Sequence, residues 1–165
     1  MSDLARLTQL VAERAAAMAL YARQWLDAAS AEDVVQEALT ALLTQPRAPD
    51  DPVAWTYRAV RNAAIDHARA ASRRRRRERI VAAARREWFE TAADSLIDGQ
   101  TAEQALRRLP PEHREIVVLR IWGDLGLAQI GRIMHLSVTT VHERYAWALE
   151  QMRNELERPC RTNMP

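Results

Sequence analysis

Proline placement constrains this chain more than any other feature, because a proline opens an α-helix readily but breaks one from within. Pro46, Pro49 and Pro52 interrupt one run of helix-periodic apolar residues, and Pro110-Pro111 interrupts another. Between these breaks the pattern is helical. From Leu4 to Leu26, Leu7, Leu10, Val11, Leu20 and Trp25 mix with many alanines, predicting one or two helices. Ser30 followed by Asp33 resembles a capping box, and Val34, Val35, Ala38, Leu39, Leu42 and Leu43 then form one buried stripe. Asp51-Pro52 supplies an N-cap and first helical position for a helix through Trp55 to about Ser72. Thr101 and Gln104 predict a capped helix to Leu109, and Pro110-Pro111 opens the next, from Glu112 to Trp122. Gly123 to Gly126 read as a turn, Leu127 to Met134 as a short helix, His135 to Ser137 as a tight connection and Val138 to about Leu156 as a longer helix. With only four glycines and one phenylalanine in 165 residues, a turn-rich β architecture is disfavoured and the expected class is all-α.

Charge then divides what the prolines leave. The formal net charge is only +2, but residues 73 to 86 hold eight arginines and one glutamate, whereas residues 1 to 72 set seven arginines against nine acids. Residues 87 to 100 carry Glu87, Glu90, Asp94 and Asp98 with no basic partner, and residues 101 to 158 balance eight arginines with eight acids. The expected organisation is therefore two small helical domains, 1–72 and 101–158, joined by a basic-then-acidic linker, 73–100, and followed by a tail, 159–165. The five consecutive arginines from Arg73 should repel one another and fray the helix that leads into them.

Several function classes fall away. The single cysteine, Cys160, can form neither an internal disulfide nor a thiolate metal site, which suits a reducing cytoplasm. Neither a signal peptide nor a membrane span of about 20 apolar residues is evident. His67, His113, His135 and His142 are scattered, Asp66 adjoins His67 in sequence without sharing its helix face, and there is no glycine-rich phosphate loop. No enzyme activity, metal, cofactor or small-molecule substrate is expected.

What remains points to nucleic acid and protein partners. Arg58, Arg61, Asn62 and Arg69 fall on neighbouring strips of the helix that ends in the arginine run beginning at Arg73, with Trp55 and Tyr57 beside them. Aromatic rings can stack on unpaired bases for about 1–3 kcal/mol each while arginines follow the phosphates; core aromatics with solvated arginines are the simpler alternative. The segments 127–134 and 138–156 have the lengths and three-residue turn of a helix-turn-helix, with Thr139, Thr140, His142, Glu143, Arg144 and Trp147 facing outward, although a plain helical hairpin shows the same stripes. Glu32, Asp33, Gln36 and Glu37 form a polar face near one helix start, where carboxylates also favour the helix dipole.

Two longer motifs carry a family resemblance. Ala31-Glu32-Asp33-Val34-Val35-Gln36-Glu37-Ala38 and the segment Ala54-Trp55-Thr56-Tyr57-Arg58-Ala59-Val60-Arg61-Asn62-Ala63-Ala64-Ile65-Asp66-His67 closely resemble region 2 of bacterial sigma factors of the extracytoplasmic-function type. Leu109 through Arg120 resembles the first helix of region 4, and Ile130 through Leu149 its helix-turn-helix. The resemblance implies a transcription initiation factor that binds core RNA polymerase, recognises promoter DNA and aids its opening. It implies that Glu32, Asp33, Gln36 and Glu37 meet the β′ clamp helices, and that Tyr57, Arg58, Arg61 and Asn62 handle the melted promoter, with Trp55, Arg69 and Arg73 alongside. It further implies that region 4 docks on the β flap and that Thr139, Thr140, His142 and Arg144 meet the upstream element. An anti-sigma factor is a further candidate partner, and a compact free form would be autoinhibited. The chain departs from the pattern at Gln129, Gly131 and His135, which should loosen the turn, and at Glu143, Ala146 and Trp147 in the recognition helix. A stand-alone helix-turn-helix regulator and a sigma-like decoy that binds polymerase only are the competing functions.

Overall fold

The computed structural model describes residue 9, residues 11–78 and residues 96–157, without the side chains of 75–78 and 96–100. These residues form seven helices: α1 (Ala15–Ala22), α2 (Ala28–Leu43), α3 (Pro52–Glu78), α4 (Leu96–Arg108), α5 (Pro111–Ile121), α6 (Leu127–Met134) and α7 (Val138–Leu156). No strand occurs among the described residues, so the architecture is all-α as expected. The acidic positions Glu87, Glu90 and Asp94, the side chain of Asp98, and Cys160 in the tail lie outside the described residues.

Local chemistry sets the helix ends. α2 begins three residues after Trp25, ahead of the expected start at Ser30, because the Asp27 carboxylate accepts a 2.8 Å bond from the Ser30 amide and Asp27 itself is extended. Asp51 caps α3 as expected, with the Ala54 amide donating to its Oδ1 at 3.0 Å and Pro52 in the first turn. α3 runs to Glu78 instead of fraying beyond Ser72. Arginine is a strong helix former, and like-charge pairs four apart cost only tenths of a kcal/mol, so the run of arginines does not stop the helix. α4 likewise begins before the expected Thr101.

Packing joins these helices into two units that touch along a seam. In the first, α1 and α2 lie on α3 and bury Met18, Tyr21, Val34, Val35, Val60 and Ala64. In the second, α4 to α7 bury Leu106, Ile116, Leu119, Leu125, Ile130, Ile133, Val141 and Ala148. α3 packs against α6 and α1 against α5, so the buried apolar side chains form one continuous cluster across both units.

The helix-turn-helix is closed by an unusual division of labour. His135 takes the left-handed conformation, φ 57° and ψ 44°, that a glycine occupies at lower cost. The turn then folds back so that the Leu136 amide donates to the Gly131 carbonyl at 2.9 Å, and Ser137 caps α7 by accepting from the Thr140 amide at 3.1 Å. A Cβ on residue 131 would stand 2.7 Å from the Leu136 carbonyl oxygen, so only glycine fits there. The turn is therefore tight, contrary to the expectation of looseness. Two substitutions should move stability in opposite directions in urea unfolding of the full chain. Gly131→Ala should lose about 1–2 kcal/mol, its overpacking outweighing its better helix propensity. His135→Gly should gain up to about 1 kcal/mol.

Candidate nucleic-acid interface

The side chains of α3 divide between two faces. Arg58, Asn62, Arg69 and Arg73 are exposed and recur at helical spacing, so they form one continuous basic stripe, with the half-buried Trp55 at its edge. Asp66 lies on the same stripe and pairs with Arg69 at 3.7 Å. Tyr57 and Arg61, expected on this face, turn the other way. Tyr57 is fully buried and packs edge-on to Tyr21 with ring centroids 5.8 Å apart. One residue along a helix is a rotation of about 100°, which is why neighbours in a motif separate so completely.

Arg61 points into the seam and meets Glu115 of α5. The Arg61 Nε donates to Glu115 Oε2 at 2.7 Å and Nη2 to Oε1 at 3.4 Å, while the Tyr21 hydroxyl donates to Oε2 at 3.1 Å. Glu115 is only 4% exposed, so this carboxylate is a buried charge shared by three helices. Burial pushes the Tyr21 hydroxyl well above its ordinary range and the Glu115 charge pushes it further, so it remains a donor. Burial opposes the Arg61 cation, yet its bond to Glu115 outweighs that and holds it charged.

Two further contacts flank this centre. Arg14 Nη1 donates to the Gly123 carbonyl at 2.7 Å. Asp51, besides capping α3, accepts from Gln129 Nε2 at 3.0 Å and pairs with Arg132. Burial pushes the Asp51 carboxyl up, but the Ala54 amide, Gln129 and Arg132 together hold it below its ordinary 3.8. A carboxylate depressed in the fold adds stability above that ordinary value and loses it only as pH falls through the lower one, so neutral pH leaves this contact intact. Glu115, Tyr21 and Asp51 were not singled out as seam contacts from sequence. The available signal was Glu115 itself, an acid adjoining the apolar run Ile116 to Leu119.

On the other surfaces, Glu32, Asp33, Gln36 and Glu37 are all exposed along α2, away from the seam. On α7, Thr139, His142, Glu143 and Ala146 are exposed, Thr140 is half-buried with its hydroxyl 2.8 Å from Ser137 Oγ, and Arg144 is half-buried in an ion pair with Glu112. Among the described residues no cluster of His, Cys, Asp and Glu could hold a metal ion, and no helix is long and apolar enough to cross a membrane.

Comparison with known proteins brings these surfaces together. Residues 10–74 match the family model for Sigma-70 region 2, and residues 105–154 match that for Sigma-70, region 4. The ECF RNA polymerase sigma factor SigL of Mycobacterium tuberculosis is 28% identical over 162 residues, covering 94% of this chain and 92% of that protein. The sigma factor RpoE from Bartonella quintana, solved in complex with the anti-sigma factor NepR, superposes with a TM-score of 0.68 at 20% identity, over 90% of this chain and 94% of that one. CnrH, solved in complex with the cytosolic domain of CnrY, superposes with a TM-score of 0.57 at 24% identity, over 91% and 86% of the two chains.

The seam makes a sharp energetic prediction. Glu115→Ala leaves Arg61 and the Tyr21 hydroxyl without their acceptor and should lower the stability of the full chain by about 3 kcal/mol, as loss of one partner of a buried ion pair does. Small-angle scattering should show the same variant expanded. In a double-mutant cycle with Arg61→Ala, the two losses should be strongly non-additive; additive losses with unchanged scattering would mean that the seam does not depend on this pair.

Proposed function

We propose, from the premise that the chain belongs to the sigma-70 family of transcription initiation factors and to its extracytoplasmic-function group, that it grips core RNA polymerase through α2 and handles promoter DNA through α3 and α7. The supporting observation is that one helical unit holds two separate exposed faces, the acid-and-glutamine face of Glu32, Asp33, Gln36 and Glu37 and the basic stripe of Arg58, Asn62, Arg69 and Arg73. The first suits arginines on a protein partner, for which the β′ clamp helices are the candidate. The second suits the phosphates of a separated strand, with Trp55 available to a base. The chain works in the cytoplasm and performs no chemistry of its own, leaving the polymerase as the catalyst.

In this reading the closed arrangement belongs to the free protein. The α2 face is open, so polymerase meets it first, whereas Arg61 reaches DNA only after Glu115 lets go. The second unit docks on the β flap and presents Thr139, Thr140, His142 and Arg144 to the upstream element. An anti-sigma factor is a further partner, one that would hold the two units as the seam holds them.

Purified core RNA polymerase should retain the wild-type chain in a pull-down, and Asp33→Arg with Gln36→Ala should weaken that capture at least about tenfold, the scale of one or two interfacial contacts. The wild-type holoenzyme should also give discrete start sites on a genomic fragment library. Failure to bind core, together with binding to duplex DNA alone, would assign the chain to stand-alone regulators.

A further inference from the structure

The outward stripe of α7 runs through Thr139, His142, Glu143 and Ala146, spaced three and four residues apart. Arg144 does not belong to it. One residue past Glu143, it is rotated by about 100° toward α5, and its side chain is 29% exposed. There its guanidinium pairs with Glu112, in the first turn of α5, next to the ring contact between His113 and Trp147, whose centroids are 4.7 Å apart. Arg144 is thus held on the flank of the recognition helix by an adjoining helix, beside the groove-facing stripe and outside it.

A base edge is reached from the centre of a recognition helix, and a phosphate from its flank. The Glu112 side chain is 62% exposed, so water competes for the pair and it is a weak one. A phosphate offers the same guanidinium two oxygens in a fork, as a carboxylate does, and its neutralisation also releases condensed counterions. The carboxylate and a phosphate would compete for one cation.

We propose that Arg144 is a clamp for the duplex backbone and that Glu112 is its gate, a carboxylate that must be displaced before the clamp engages. Glu112 then sets how tightly the second unit holds duplex DNA without selecting its sequence. The proposal rests on the reading above only in assigning DNA to α7, and its test needs no polymerase, so the pull-down and this measurement fail independently.

The full chain is titrated against a labelled mixed-sequence duplex of about 30 base pairs by fluorescence anisotropy, across a series of salt concentrations. Glu112→Gln should tighten binding about three- to tenfold near 0.1 M salt and steepen the logarithmic salt slope by about one, as one added phosphate contact does. With Arg144→Ala the slope should flatten below wild type, and adding Glu112→Gln to it should restore neither. Arg144→Lys should keep the slope and lose part of the affinity, since it retains the charge without the fork. The arginines of α3 contribute equally to every variant and cancel in the comparison. The proposal is overturned if Glu112→Gln leaves the salt slope unchanged, if its gain persists without Arg144, or if the Glu112→Gln chain shows no binding to duplex.

Discussion

One buried carboxylate ties the two units to each other. Glu115 sits between Arg61 and Tyr21, so three helices far apart in the chain converge on a single charge. A charge this far from water is tolerable only while its partners stay in place. The apolar contacts around it, Tyr57 on Tyr21 among them, add area without direction, whereas the carboxylate adds a directional link from α5 to α1 and α3.

Helix rotation sorts the functional surfaces around that contact. Because Arg61 and Tyr57 face the seam, the residues beside them in sequence, Arg58 and Asn62, necessarily face solvent. The α2 face is remote from the seam, and α7 packs its inner side on α4, α5 and α6, leaving its outer stripe open. The seam therefore covers only part of α3, with the Glu115 carboxylate held on Arg61.

Sequence logic recovered the features set by near neighbours. Asp51-Pro52 and Pro110-Pro111 announced the starts of α3 and α5, because a cap and a proline act within one turn. The helix-turn-helix boundaries followed from the same local rules. Where two local signals competed, the pattern misled: Ser30 with Asp33 looked like a cap, but Asp27 supplied one a turn earlier. Charge repulsion suggested an early end to α3, which arginine's own helix preference overruled. The seam was illegible for a different reason. Glu115 lies 54 residues from Arg61 and 94 from Tyr21, and nothing local to any of the three states that they meet. The division of Tyr57 from Arg58 was hidden similarly, since a motif is written in a line and a helix spends it on several faces.

The polar part of this seam is suited to being opened. A purely apolar interface would expose its area to water at a cost that grows with every side chain, about 25 cal/mol for each Å². An ion pair behaves differently: removing one partner strands the other, but parting both into water restores the hydration that burial had taken from each. The same contact thus resists damage more than it resists separation. A partner that binds only the parted form must supply the whole difference between the two states, and moving a two-state balance from one in a hundred to its reverse takes about 5.5 kcal/mol of differential binding. Glu115, Arg61, Asp51 and Arg14 can each recover water on parting, which lowers that requirement, whereas a ligand that binds both forms equally supplies none of it.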